Sequence, residues 1–248
     1  MASSSSTHTS SHDRRIEPLT SATSDGTYPA ARSRRIVPPN GGLATNSFDE
    51  RAATWDDDPT KRERARLAAA RLRASVDLHP DTRLLEYGAG TGLLTEQLRP
   101  HVGHTTLAEP SSGMRDVLNA KVADGRLAGA DILDLDLSRD APPASRHDLI
   151  VALMVLHHIP DLTPVLAGFA TLLTDGGTLC VIDLEEEDGS FHDPGFDGHD
   201  GFARDWLTER LAVAGFDPPR FEPCGQVNKH GRDYELFLAT CSLAEAPR

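Results

Sequence analysis

Between residues 83 and 184, short apolar runs alternate with stretches whose apolar positions recur every three or four residues. Arg83–Tyr87, His104–Glu109, Leu149–Leu153 and Thr178–Leu184 read as strands, with a shorter one near Leu127–Asp131. Helices are expected over Leu93–Leu98, Gly113–Lys121 and Thr163–Leu173, the last ending in the turn Asp175-Gly176-Gly177. Upstream, Asp49–Trp55 reads as a short helical turn, and Asp58-Pro59-Thr60 caps a helix over Lys61–Val76. Downstream, a polar, glycine-rich loop leads to a helix over Phe202–Ala214 and to extended segments near Pro219–Pro223 and Glu235–Cys241. Strands alternating with helices predict an α/β fold with a doubly wound, mostly parallel sheet. Ligands of such sheets lie across the carboxyl ends of the strands, so the residues just past each strand carry the functional interest.

The richest of these strand ends is Glu86-Tyr87-Gly88-Ala89-Gly90-Thr91-Gly92. An acidic residue closes a buried strand, three alternating glycines turn the chain, and a helix starts at Leu93. Glycine lets the backbone bend sharply and lets a ligand lie directly on it. The helix start behind it offers free N–H groups and a positive dipole end. The spacing is not the dinucleotide fingerprint G-x-G-x-x-G: the third glycine comes one position early, and Leu93 stands where that pattern wants Gly or Ala. A nicotinamide-dependent oxidoreductase is therefore a poor reading. The pattern E-x-G-x-G-x-G resembles that of class I S-adenosylmethionine-dependent methyltransferases. Further segments strengthen the likeness. They are Leu107-Ala108-Glu109-Pro110-Ser111-Ser112-Gly113-Met114, the run His147–Asp161, and Glu187-Asp188-Gly189-Ser190-Phe191-His192 with His199-Asp200-Gly201-Phe202. With Phe48–Asp56, these also resemble an uncharacterised group of bacterial and fungal methyltransferases over about residues 48–243.

The resemblance implies a seven-stranded Rossmann-like sheet with an antiparallel C-terminal edge hairpin, and S-adenosyl-L-methionine as cofactor. It implies that Glu86, Gly88, Ala89 and Gly90 receive the amino-acid end of the cofactor, and that Glu109 accepts the ribose hydroxyls. Pro110, Met114 and Ile132 would border the adenine, Asp131 would accept from its amino group, and Leu153 would border the cofactor with its backbone. His157 and His158 are candidates for a general base, or else pack and cap beneath the loop. Trp55, Phe191 and His192 are candidates to close over the acceptor, Trp55 being equally readable as a helix anchor. No Asn/Asp-Pro-Pro-Tyr/Phe element follows the fourth strand, which lowers planar amide and amino nitrogens as acceptors and favours a small molecule. No convergent set of oxygen ligands for a metal is assembled, and the acids from Asp183 to Asp188 read as a solvated loop.

Composition sets the remaining bounds. The 248 residues suit one α/β domain plus a tail. Residues 1–47 are rich in Ser, Thr, Pro and Arg, carry five arginines against three acids, and read as a disordered tail or an organellar leader. Residues 48–248 form the expected domain, with a helical lid over 48–78. The net charge of −13 argues against nucleic acid as partner. No run long enough to span a bilayer is present. Three scattered cysteines point to a reducing compartment, with the cytoplasm expected and the mitochondrion as alternative. An inactive regulatory protein that binds S-adenosylmethionine or S-adenosylhomocysteine is the rival function. Sequence leaves the acceptor and the oligomeric state open.

Overall fold

The computed structural model is described over residues 42–244, with side chains from Ser47; of the tail expected over residues 1–47, residues 1–41 lie outside that range and 42–47 are helical. Helix α1 (Gly42–Arg51) passes into a 3-10 turn (Ala52–Asp57) and then into α2 (Pro59–Ser75). Asp58 caps α2, its carboxylate accepting from Thr60 N at 2.8 Å, and Pro59 supplies a first-turn residue that needs no N–H partner. The unit then runs β1 (Leu84–Tyr87), α3 (Leu93–Leu98), β2 (Thr105–Ala108), α4 (Ser112–Ala123), β3 (Asp131–Leu133) and β4 (His147–Leu153). It continues through α5 (Thr163–Leu172), β5 (Leu173–Leu184), α6 (Arg204–Val213), β6 (Arg220–Lys229) and β7 (Arg232–Ser242).

The seven strands lie in the order β3-β2-β1-β4-β5-β7-β6, with β7 antiparallel to both β5 and β6 and the other pairs parallel. Every residue of β1 and β2 is buried, because helices cover both faces of a parallel sheet. Side chains alternate between those faces. Leu85, Tyr87, Ile150 and Ala152 point to a core shared with α5 and α6, while Leu84, Leu149 and Val151 point to one shared with α2 and α3. Strand order reverses on either side of β1, so the crevice at the carboxyl ends of β1 and β4 is the topological switch point.

Two expectations need correction here. The turn at Asp175-Gly176-Gly177 lies inside β5, whose pairing with β4 shifts register between His147 and Leu149; Gly176 takes φ +77° there. The third strand starts later than expected. Asp131 opens β3 instead of following it, pairs with Thr106, and meets His104 at 3.0 Å at the amino end of the sheet. The residue just past the carboxyl end of β3 is Asp134, which holds Arg115 at 2.9 Å.

Candidate functional site

The glycine turn takes its shape from neighbours as much as from its own sequence. Gly88, Gly90 and Gly92 all have positive φ, at +69°, +55° and +80°. A Cβ on Gly88 would lie 2.3 Å from Val155 Cγ2, and one on Gly92 would lie 2.8 Å from Leu118 Cδ2. At Gly90 it would meet nothing within 4 Å. Two of the three glycines therefore serve close packing, and the middle one faces open space. Ala89 between them is buried. Val155 reaches Gly88 because Met154, at φ +55°, turns the chain sharply as it leaves β4 at Leu153. A non-glycine residue in that region costs about 1–2 kcal/mol, stored where the chain leaves β4 towards the switch point.

Two buried carboxylates flank the turn. Glu86 Oε2 accepts from Thr95 N at 3.1 Å and from Thr95 Oγ1, in the first turn of α3. Its Oε1 has no hydrogen-bond partner among the described residues. Burial pushes the Glu86 carboxyl up to about 7 against the pull of the Thr95 bonds, with Glu109 adding to the rise and Lys121 opposing it. Glu109 accepts from Gly90 N at 2.7 Å and from Ser111 N at 2.8 Å, so it ties the turn to the start of α4. Burial raises its carboxyl too, and those two N–H groups oppose the rise. Pro110 is half-buried beside it, Met114 is buried within α4, and Ile132 packs at mid-strand against the cluster of Ala89, Leu107 and Leu118.

The segment before α2 lies over this turn and is held by two aspartates that the sequence did not single out. Asp49 Oδ1 accepts from Ser111 Oγ at 2.5 Å and Gly113 N at 2.8 Å at the start of α4. Asp56 Oδ1 accepts from Thr91 Oγ1 at 2.5 Å within the glycine turn, and Asp56 Oδ2 meets Lys121 Nζ at 2.6 Å. Lys121 is wholly buried and also meets Glu96 at 2.9 Å. Gly113 is required by this approach, since a Cβ there would lie 2.8 Å from the Asp49 backbone. Trp55 is packed between Lys61, 3.9 Å from its ring centre, and Phe48 at 5.8 Å. Phe48, not Trp55, reaches His158, edge-on at 5.4 Å.

His158 belongs to a cluster at the exit of β4. The short 3-10 turn Leu156–His158 places His157 and His158 side by side, with ring centres 4.1 Å apart. His192, from the loop after β5, stands 5.1 Å from His157 and 5.3 Å from His158. Phe196 stacks on His192 at 3.6 Å. Phe191 is buried against Tyr234 under the loop, a packing position more than an open wall. Close contacts hold the loop: His199 N donates to His157 O at 2.7 Å, and a Cβ on Gly201 would collide with Glu185 O.

Asp183, at the carboxyl end of β5, organises the cluster from behind. It is fully buried and receives His157 Nδ1 at 2.6 Å, together with the N–H groups of Leu156, His157 and Leu184. Burial opposes its ionisation; the His157 ring and the N–H groups outweigh that and keep the carboxyl below its usual range. His158 is pushed down to about 3 by burial and by its two imidazole neighbours, and His192 to about 4 by burial and by His157. Both rings are neutral at physiological pH. The later acids of the run are engaged in other ways: Glu185 pairs with Arg204, Asp188 with Arg232, and Glu187 accepts from the Ser190 and Phe191 N–H groups.

Strand order, the switch-point crevice and the glycine turn define a class I, Rossmann-like methyltransferase fold. Solved structures agree. An S-adenosylmethionine-dependent methyltransferase from Clostridium acetobutylicum superposes with TM-score 0.59 at 16% identity, over 82% of this chain and 100% of that one. DhpI in complex with SAH gives TM-score 0.60 at 21% identity, over 82% of this chain and 96% of that one. Residues 60–226 match the family model described as a methyltransferase domain, and the chain belongs to that family. An uncharacterised methyltransferase of Schizosaccharomyces pombe is 34% identical over 116 residues, 44% of this chain and 41% of the relative. The match thus spans under half the length of that relative. S-adenosylmethionine is the cofactor that goes with this membership. The residues present fit it: Gly90 leaves a cradle that a Cβ would fill, and the bonds from Thr95 to Glu86 fall on Oε2, leaving Oε1 unpaired among the described residues. No described helix is long and apolar enough to cross a membrane.

Proposed function

We propose that the chain methylates a small-molecule acceptor bound between the Phe48–Asp57 segment and the exit of β4. The observation that carries the reading is the aromatic and imidazole enclosure of Phe48, His158, His192 and Phe196 beside Val155, which itself packs on Gly88. An enclosure of that kind suits a compact acceptor held away from water. Bound there, S-adenosylmethionine supplies a methyl group already activated by its positively charged sulfur.

The chain's own residues then have three tasks. Glu86 holds the ammonium group, the backbone of the glycine turn lets the cofactor approach closely at Gly90, and Glu109 accepts from the ribose hydroxyls by charge-assisted bonds. Asp134, past the end of β3, takes the adenine-facing part that the sequence pattern assigns to Asp131. His158 and His192 face the acceptor as neutral rings that orient it.

Isothermal titration with S-adenosylmethionine and S-adenosylhomocysteine, with a nicotinamide cofactor as control, tests the first half. Micromolar binding of the first two alone is expected, and its absence in folded protein overturns the reading. A panel of small acceptors, monitored by S-adenosylhomocysteine release, tests the second half. Binding without turnover on any acceptor would favour the regulatory alternative.

A further inference from the structure

The three imidazoles at the exit of β4 have an arrangement that methyl transfer does not itself require. One ring nitrogen from each of His157, His158 and His192 lies within 4.8 Å of the others. His157 is committed through Nδ1 to Asp183 at 2.6 Å, which leaves Nε2 as the nitrogen it has to offer. A carboxylate behind a histidine in this way fixes the tautomer and raises the basicity of the free nitrogen, as the second shell of a metal-bound histidine does. His192 Nε2 is buried and has no hydrogen-bond partner among the described residues. A buried imidazole nitrogen without a partner is costly unless something fills the place.

We propose that His157, His158 and His192 form a site for one divalent transition-metal ion of the zinc class, with the remaining coordination position open towards the acceptor. Three neutral imidazoles are the donor set of open, catalytic-type zinc sites, and closed structural sites carry a fourth protein ligand instead. No further His, Cys, Asp or Glu joins the group among the described residues. Nitrogens bound at ~2.05 Å to one tetrahedral ion stand about 3.3 Å apart, so the present spacing must contract by up to about 1.5 Å. His192 can supply that movement. Its loop is flanked by Gly189 and Gly195, both at positive φ, and a Cβ on Gly195 would touch nothing within 4 Å.

The role of the ion rests on the proposed methyl transfer, whereas its binding does not. At the open position it would hold an acceptor through oxygen or sulfur, such as a phenol, an enol or a thiol. One proton leaves the acceptor on ligation and passes to solvent, and the lone pair is then directed at the methyl group. No oxygen-ligand set of the kind magnesium or calcium requires is involved.

The test uses the full chain freed of metal with a chelator, titrated calorimetrically with zinc chloride and spectroscopically with cobalt(II). S-adenosylhomocysteine binding is measured on every sample. One zinc ion per chain is expected, with a cobalt visible spectrum of low-coordinate type. His158→Ala and His192→Ala should each weaken zinc at least a hundredfold while S-adenosylhomocysteine still binds, which shows that the variants are folded. His79→Ala, on the loop before β1, should change nothing. Asp183→Asn should weaken zinc about tenfold to a hundredfold and shift the cobalt spectrum, a change that a purely structural role would not produce. Absent zinc binding, or binding unaffected by both His158→Ala and His192→Ala, overturns the site. Zinc bound as expected with no S-adenosylhomocysteine binding would instead overturn the cofactor assignment and leave the metal site standing.

Discussion

Lowering the pH from about 8 to about 6 should weaken S-adenosylhomocysteine binding about tenfold, through the Glu86 carboxyl. That group is 3% exposed and titrates near 7 because burial disfavours its charge. An ammonium group placed on the free Oε1 favours the ionised form, so binding must expel a proton wherever Glu86 begins neutral. The affinity then scales with the fraction already ionised, about one part in eleven at pH 6 and ten in eleven at pH 8. S-adenosylhomocysteine is the better probe, because its amine stays protonated across this range. Titration calorimetry in two buffers of different ionisation enthalpy reads the proton directly: about 0.9 released per ligand at pH 6 and about 0.5 at pH 7.

Glu86→Gln should abolish the pH dependence and weaken binding at pH 8 about tenfold or more, since a charge-assisted bond contributes ~1.5–3 kcal/mol. The same substitution should stabilise the ligand-free protein. A carboxyl whose folded value is raised binds more protons folded than unfolded, so stability falls as pH rises from 4.5 to about 7. The Gln variant should match the parent near pH 4.5 and exceed it by up to about 3 kcal/mol at pH 8. Weaker binding joined to higher stability is a signature that mere disruption cannot produce. Binding that is independent of pH, with no buffer-dependent heat, would refute the contact between Glu86 and the ammonium group.

Gly90→Ala should cost only about 1–2 kcal/mol, for a side chain at φ +55° with no collision, and weaken S-adenosylhomocysteine about tenfold or more, because its Cβ enters the open cradle. Gly88→Ala should instead destabilise the fold by about 2 kcal/mol or more, through φ +69° and the Val155 collision; calorimetric scans separate the two. Lys121→Met should cost about 1–3 kcal/mol, less than a fully buried pair, because Asp56 and Glu96 remain 29% and 19% exposed; faster tryptic cleavage at Arg51 would report the freed segment. His147→Leu should stabilise by about 1–3 kcal/mol, since both ring nitrogens are buried without partners. Burial lowers His147 to about 4, so the parent loses stability as pH falls from 6.5 towards 4 and the variant's advantage grows; urea titrations at pH 5 and 8 check the sign.

How far these features could be read in advance differs between fold and site. Strand–helix alternation is a local signal, and it located the order of elements from β1 to β7, although β5 starts at Leu173 ahead of the expected Thr178 and β6 runs past Pro223 to Lys229. It failed at β3 because Ala128-Gly129-Ala130 precedes the acids Asp131, Asp134 and Asp136, and period alone does not say which aspartate ends a three-residue strand. Pairing with β2 decides it, by seating Ile132 opposite Leu107. The places of Glu86, Glu109 and the glycines at the ends of β1 and β2 were legible because strand ends are fixed by topology, so a sequence pattern there implies a place in space. Lys121 gave no sign, since one lysine on an amphipathic helix looks like any other until Asp56 and Glu96 converge on it from other elements. Asp183 was visible as a strand end but read as part of an acidic run. Its pairing with His157 depends on β5 lying beside β4, a contact between residues 26 apart in the chain.

These long-range contacts also explain why the segment over the crevice is held by charge and not by apolar burial. In the 3-10 turn only Ala52 is buried, so little apolar area is removed from water there. Its attachment rests on Asp49 at the start of α4 and on Asp56 at Thr91 and Lys121. Each aspartate binds a group next to a proposed cofactor contact: Ser111 accompanies Glu109, and Thr91 follows Gly90. Polar anchors of this kind exchange readily for water at the exposed end. The Lys121 ammonium, wholly buried, cannot be hydrated without moving α3 or α4. Opening at Asp49 therefore costs less than opening at Asp56, and hydrogen exchange is expected to run faster at the Phe48 end, which carries the contact to His158, than at Asp56.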